Sequence, residues 1–241
     1  MGHTVGFLYP GYSAEDDYPR LEGILRDTGA DVRLPLVHTD IGEDAHRVDA
    51  LLEMGSASRL AAGIAELKDR GAEAVVWSCT SASFVFGWDG AHDQVRELSA
   101  TAGLLASSTS FAFVHAARAL GVERVAVAAT YPDDVAELFA AFLKAAGIEV
   151  VSLRGSGIIT AAEVGTWGKE ETLSVAGAGD HRDAQALLMP DTALHSAAHL
   201  ADLELALGKP VLTANQVTVW EGLRLLDQRI TSDRLGTLFG S

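Results

Sequence analysis

Short apolar runs alternate with longer amphipathic stretches along the whole chain. Val5–Tyr9, Asp31–Leu36, Ala74–Ser78, Arg124–Ala129, Glu149–Leu153, Ala186–Met189 and Pro210–Thr213 have the length and residue types of strands. Val48–Arg70 carries Leu51, Leu52, Leu60, Ile64 and Leu67 at roughly helical spacing. Asp133–Ala146 repeats apolar side chains at Val135, Leu138, Phe139, Phe142 and Leu143, opens after Tyr131-Pro132 and closes at Gly147. Proline at a helix start and glycine just past its end are both favoured. Ala193–Leu207 and Gln216–Gln228 predict further helices, whereas Gly165–Asp180 lacks a clear period and predicts a loop or short irregular helix. Strands alternating with helices of this length imply βαβ units and parallel sheets.

The pattern also echoes itself. Val5–Tyr9 opens the first half and Arg124–Ala129 the second. In each half a later strand runs into a polar turn, at Cys79-Thr80-Ser81 and at Pro190-Asp191-Thr192-Ala193. Two facing α/β lobes would bring these turns together across a cleft. In open α/β sheets, ligands bind at the carboxyl ends of the strands.

Composition narrows the function. Of 241 residues, 48% are hydrophobic and 21% charged, as in an ordinary globular protein. A net charge of −15, with 18 basic against 33 acidic residues and no basic run, argues against nucleic-acid and anionic-membrane partners. A local nest of N–H donors can still hold a small anion. The single cysteine excludes an internal disulfide and multi-cysteine metal sites, and the eight histidines show no metal-ligand spacing. Met1-Gly2-His3-Thr4 leads directly into a short apolar run, without a basic region and long apolar stretch, so the expected location is cytoplasmic.

Cys79 ends an apolar run in a cluster of small hydroxylated residues. It reads either as a nucleophile or proton carrier at a ligand-binding edge, or as a buried inert thiol. The donors of Thr80 and Ser81 suit a substrate carboxylate, and equally the cap of the next helix. Asp191 reads as a general acid or base, or as the N-cap of a helix from Ala193. His195, one turn later, reads as a solvated or packed histidine, and Asn215-Gln216 as the support for the last helix.

The segments Val75–Phe84, Ser107–Ser110, Thr130–Pro132 and Gly208–Gln216, the last followed by Trp220 and Leu223-Arg224, together resemble the aspartate/glutamate racemase superfamily. Within it they are most similar to the maleate cis–trans isomerase and arylmalonate decarboxylase branch, over nearly the whole chain. The resemblance implies an α/β fold of two pseudo-symmetric lobes. Each is a parallel sheet flanked by helices, with the active site in the cleft between them. Residues 1–115 plus 216–241 would form the first lobe and 116–215 the second, the C-terminal segment returning to the first.

The resemblance further implies catalysis of a small carboxylate without cofactor or metal, using a cysteine from each lobe. Cys79 matches the first; Asp191 stands where many members carry the second, which excludes a symmetric two-thiol racemase. Tyr131 matches a carboxylate-binding tyrosine, and Thr192 and Ala193 follow Asp191 in the second-lobe motif. Ser13 stands where maleate isomerases carry an asparagine. The expected function is isomerisation through Cys79 as nucleophile, with Asp191 in place of the second thiol. A homodimer is the expected assembly. Decarboxylation of a substituted malonate, racemisation of an amino acid or hydantoin, and non-catalytic ligand binding are the alternatives. Arylmalonate decarboxylases keep the thiol on the second lobe and have glycine at the position of Cys79. Trp88 and Trp167 read either as an apolar cleft wall or as packing residues.

Overall fold

The structure, a computed structural model, describes residues 2–240. The first half contains strand β1 (His3–Pro10), helix α1 (Asp17–Asp27), strands β2 (Val32–Arg33) and β3 (Leu36–Thr39), and helices α2 (Val48–Met54), α3 (Ala57–Ala62) and α4 (Ile64–Asp69). Strand β4 (Ala74–Trp77), helices α5 (Ser81–Phe84) and α6 (Gly87–Ala102), strand β5 (Leu105–Ser108) and helix α7 (Thr109–Ala119) complete it. The second half runs β6 (Arg124–Ala128), α8 (Asp133–Ala145), β7 (Glu149–Arg154), α9 (Ala161–Val164), α10 (Lys169–Gly179), β8 (Ala186–Met189), α11 (Leu200–Leu207), β9 (Val211–Thr213) and α12 (Ala214–Leu225).

Two parallel sheets result. The first has the order β2-β1-β4-β5 with β3 also on β1; the second has the order β7-β6-β8-β9. The two orders are the same, so β1 corresponds to β6, β4 to β8 and β5 to β9. Strand β4 reads Ala-Val-Val-Trp and β8 reads Ala-Leu-Leu-Met, all buried, as an inner parallel strand covered on both faces requires.

Helix α12 follows the second sheet but packs on α7, β4 and β5 of the first. A Cβ at Gly222 would collide with Val5, so only glycine allows α12 to sit this close to β1. The contact is fixed by Glu221, which is 0% exposed. Its carboxylate accepts from Arg224 Nε (2.7 Å) and Nη2 (2.9 Å), from Ser107 Oγ (2.6 Å) and from His115 Nδ1 (3.0 Å). Burial pushes the carboxyl up, but Arg224, His115 and Ser107 outweigh it and hold it at about 2, well below the usual glutamate value. A depressed folded value contributes stability above the unfolded pKa near 4.5 that is lost as pH falls towards 2, on the order of 3 kcal/mol. The expected result is a Tm gap between the wild type and Glu221→Gln that is wide at pH 7 and mostly closed at pH 3. Thermal melts with equal gaps at both values would refute this assignment.

Several expected elements differ. Val48–Arg70 is three short helices, broken at Gly55-Ser56 and at Gly63. At Gly55 a Cβ would strike the Ala82 carbonyl, just past Cys79, and Gln94 Nε2 donates to both carbonyls (2.8 and 2.9 Å). The break therefore serves tertiary contact with the cysteine loop. Residues 190–199 form turns, and helix α11 starts only at Leu200. The backbone of this stretch has distant partners. Asp17 accepts from the N–H groups of Ser196 and Ala197, and Asn215 Nδ2 reaches the carbonyls of Thr192 (3.1 Å) and Leu194 (3.4 Å). Gly165–Asp180, expected as a loop or short irregular helix, contains a regular helix, α10, with Glu171 accepting from the Gly168 N–H (3.0 Å). Strand β5 was not expected, since Leu-Ala-Ser-Ser has neither alternation nor branched residues. No helix among the described residues is long and apolar enough to cross a membrane.

Candidate active site

Cys79 lies two residues beyond β4 and Asp191 two residues beyond β8. Since β4 and β8 correspond, the thiol and the carboxylate hold equivalent positions in the two halves. Both line one cavity, together with Tyr9, Pro10 and Ser13 after β1, Ile41, Asp44, His46, Leu51 and Met54 from the β3–α2 region, Ser81, Ala161, Thr192 and Ala193. Within the first sheet, β1 and β4 flank the point where strand order reverses, the usual ligand crevice of an open α/β sheet. The cavity is small, about 20 Å³, room for roughly one water. A ligand of several carbon atoms enters only if the covering loops part.

Those loops come from both halves and are tied to each other. Asp44 accepts from the N–H groups of Ala161 (2.8 Å) and Ala162 (3.0 Å). The His46 N–H donates to the Ile159 carbonyl (2.8 Å), and His46 Nδ1 donates to that of Ile158 (2.9 Å). The His46 ring stands edge-on to Tyr131, with centroids 4.8 Å apart. Deeper in, the Tyr9 hydroxyl donates to the Thr192 carbonyl (2.9 Å) and accepts from the Ala14 N–H (3.0 Å). The Tyr131 hydroxyl donates to the Pro190 carbonyl (2.7 Å). The two tyrosines thus bracket Asp191 through the carbonyls on either side of it.

Cys79 is 4% exposed, with Sγ 3.7 Å from Ser81 Oγ. Burial pushes the thiol up to about 11. The Ala82 and Ser81 N–H groups and the Ser81 hydroxyl pull the other way, while the negative charge of Asp191 adds to the rise. Nearby N–H dipoles favour a thiolate and do act on this sulfur, but desolvation is larger. Asp191 is also 4% exposed. Its Oδ1 accepts from the Ala193 N–H (2.8 Å) and its Oδ2 from the Thr130 hydroxyl in a short bond. The carboxylate caps a turn rather than a helix, and both oxygens act as acceptors.

With the thiol at about 11, the thiolate fraction at pH 7 is on the order of 10⁻⁴. Alkylation of Cys79 by iodoacetamide should therefore rise about tenfold per pH unit from 7 to near 10. A rate that levels off by pH 8 would show a thiol without this desolvation.

Of the residues expected from sequence, Ser13, Cys79, Ser81, Asp191, Thr192 and Ala193 line the cavity, and Thr80 and Tyr131 stand behind its wall. Thr80 Oγ1 is buried without a well-formed hydrogen bond, close to the Tyr131 phenol, whose ionisation is pushed up by burial and by Asp191. Trp88 and Trp167 are not cleft walls. Trp88 packs between Phe111 and Phe142, and Trp167 on the second-half core. His195 pairs with Asp16 (2.8 Å) and the Gly165 carbonyl (3.0 Å), outside the cavity. The sequence reading missed Tyr9, Ile41, Asp44, His46, Leu51 and Met54. Only Tyr9, ending an apolar strand, carried a signal.

The chain is 30% identical over 187 residues to the maleate isomerase of Nocardia farcinica, covering 73% of this chain and 72% of that protein. It is 31% identical over 162 residues to the arylmalonate decarboxylase of Bordetella bronchiseptica, covering 66% and 67%. The fold matches the crystal structure of the maleate isomerase Iso from Pseudomonas putida with a TM-score of 0.90, 21% identity and 100% and 99% coverage. A serine variant of the Nocardia farcinica maleate cis–trans isomerase, carrying a covalently bound succinylcysteine intermediate, matches at 0.88, with 24% identity and 99% and 98% coverage. Residues 54–239 match the arylmalonate decarboxylase family, and it is to this family, whose relatives include isomerases and decarboxylases, that the chain belongs.

Proposed function

We propose that the protein is a cofactor-independent isomerase of a small unsaturated carboxylate, with Cys79 as nucleophile and Asp191 as the proton carrier opposite it. The observation that carries this reading is the equivalent placement of the two groups on the walls of one cavity. The relative with a succinylcysteine intermediate supports a thiol addition chemistry for the family.

The steps follow from the groups present. The Cys79 proton passes to the Asp191 carboxylate, and sulfur adds to C3 of a cis-enoate as the C2–C3 π pair moves onto C2 and its carboxylate. Asp191 then gives that proton to C2, which yields a saturated thioether. Rotation about the C2–C3 single bond follows. Asp191 removes a proton from C2, the C3–S bond breaks as the double bond re-forms, the trans product leaves, and the proton on Asp191 returns to sulfur. The Ser81 and Thr80 donors would hold the carboxylate where charge develops, with Ser13, Thr192 and Ala193 lining the space beside it.

The same site supports decarboxylation of a substituted malonate as a second reading, favoured by the apolar Ile41, Leu51 and Met54 beside the thiol. A carboxylate set against apolar side chains loses CO₂ more readily, and Cys79 would then protonate the resulting enediolate. Proton NMR with cis-enoates and with substituted malonates separates the two. Trans product without CO₂ supports isomerisation; CO₂ release supports the second reading. Neither product, together with no ligand protection of Cys79 from alkylation, would overturn both.

A further inference from the structure

We infer that the substrate of this cavity carries one carboxylate only, and that its other polar group, set against Asp191, is a hydrogen-bond donor: a primary amide or an ammonium. This inference rests on the cavity being the active site.

Two donors of the second half are already occupied. The turn after β8 and the loop after β6 offer the Ala193 N–H and the Thr130 hydroxyl, and both are taken by the Asp191 carboxylate. The chain thus places its own carboxylate on the donors that would otherwise receive the far carboxylate of a diacid. Charge points the same way. The cavity lining contains two carboxylates, Asp44 and Asp191, one imidazole, His46, and no lysine or arginine. The Tyr9 and Tyr131 hydroxyls, which could donate to an anion, are both committed to backbone carbonyls. A dianion would meet two carboxylates with no cation to offset them, and like charges at close range are strongly disfavoured.

Acceptors, by contrast, are in surplus. Each Asp191 oxygen accepts one bond from the protein, and a carboxylate oxygen can accept two. An N–H group of the substrate would fill this capacity, while Pro10, Ile41, Leu51 and Met54 would cover the carbon chain. A site built with spare acceptors rejects ligands that cannot donate to it. The single substrate carboxylate then lies on the first-half side, against the Ser81 and Thr80 donors.

The test compares maleate with two ligands that differ at one end, maleamate for the amide and cis-4-aminocrotonate for the ammonium. The full-length protein at pH 8 should isomerise at least one of the latter with kcat/KM about a hundredfold above that for maleate. Which of the two is turned over tells amide from ammonium. A readout independent of turnover is protection of Cys79 from iodoacetamide by the saturated analogues succinate, succinamate and 4-aminobutyrate. Succinamate or 4-aminobutyrate should protect at about a hundredfold lower concentration than succinate. In Asp191→Asn that preference should shrink to less than about tenfold, through better succinate binding. Succinate protecting as well as the other two, or a preference unchanged in the variant, would overturn the inference while leaving the cavity as the active site. Lack of protection by any of the three would instead remove the site itself.

Discussion

Replacing Cys79 by serine is expected to lower kcat/KM by about 10⁴-fold or more, with Tm changed by only a few degrees. The sulfur is 4% exposed and contacts the Ser81 hydroxyl, so a serine hydroxyl fits the same space and finds the same partners. A hydroxyl does not ionise in the accessible range and adds to a conjugated double bond far more slowly than a thiolate. The contrast between lost turnover and retained fold is the diagnostic. A structural thiol gives the reverse, because loss of a packed buried sulfur affects stability and leaves turnover nearly intact. Mass spectrometry of the wild type with substrate should show an adduct on Cys79 that the serine variant lacks. A serine variant that turns over within about tenfold of the wild type would remove the thiol from the mechanism.

Cys79 and Asp191 were legible in the sequence because each ends a continuous apolar run in a polar turn. Such a run identifies an inner parallel strand, whose carboxyl end is where ligands bind. The echo between the two halves, a strand running into a polar turn in each, made their equivalence readable as well. The rest of the cavity was not legible, for a physical reason. Ile41, Asp44 and His46 reach it from a loop with no period of its own, and Leu51 and Met54 from a helix of only 7 residues. Their place depends on the pairing of two covering loops, through bonds such as Asp44 to Ala161, 117 positions apart. The same cause hid the break at Gly55 and the delayed start of α11. In both, backbone groups that local propensity would give to a helix have distant partners. Trp88 and Trp167, which the sequence leaves between cleft wall and packing, are packing residues: burial against Phe111 and Phe142 uses Trp88 for the core.

Asp17 provides the largest expected effect on stability. It is 1% exposed and lies at the start of α1, yet its carboxylate serves the other half. It accepts from the N–H groups of Ser196 (3.0 Å) and Ala197 (3.1 Å) and from Asn215 Nδ2 (3.0 Å). Asn215 in turn holds the Thr192 carbonyl next to Asp191. Asp17→Ala strands the buried Ser196 and Ala197 N–H groups, each at a cost of about 1–3 kcal/mol, and removes one of the partners of Asn215 Nδ2. At about 2–4 °C per kcal/mol for a chain of this size, Tm should fall by roughly 10 °C. The acid response distinguishes this tie from that of Glu221. Burial raises the Asp17 carboxyl above its usual value, against the pull of Asn215, Ala197 and Ser196. A raised folded value means that its contribution is fully present below the unfolded pKa and declines as pH rises through the folded one. The Tm gap between the wild type and Asp17→Ala should therefore be at least as wide at pH 4 as at pH 7, whereas that of Glu221→Gln narrows on acidification. Because the turn carrying Asp191 loses its anchor, the alanine variant should also lose kcat more than it raises KM. A gap under about 1 kcal/mol, or one that closes at pH 4, would show that the two halves are joined by other contacts.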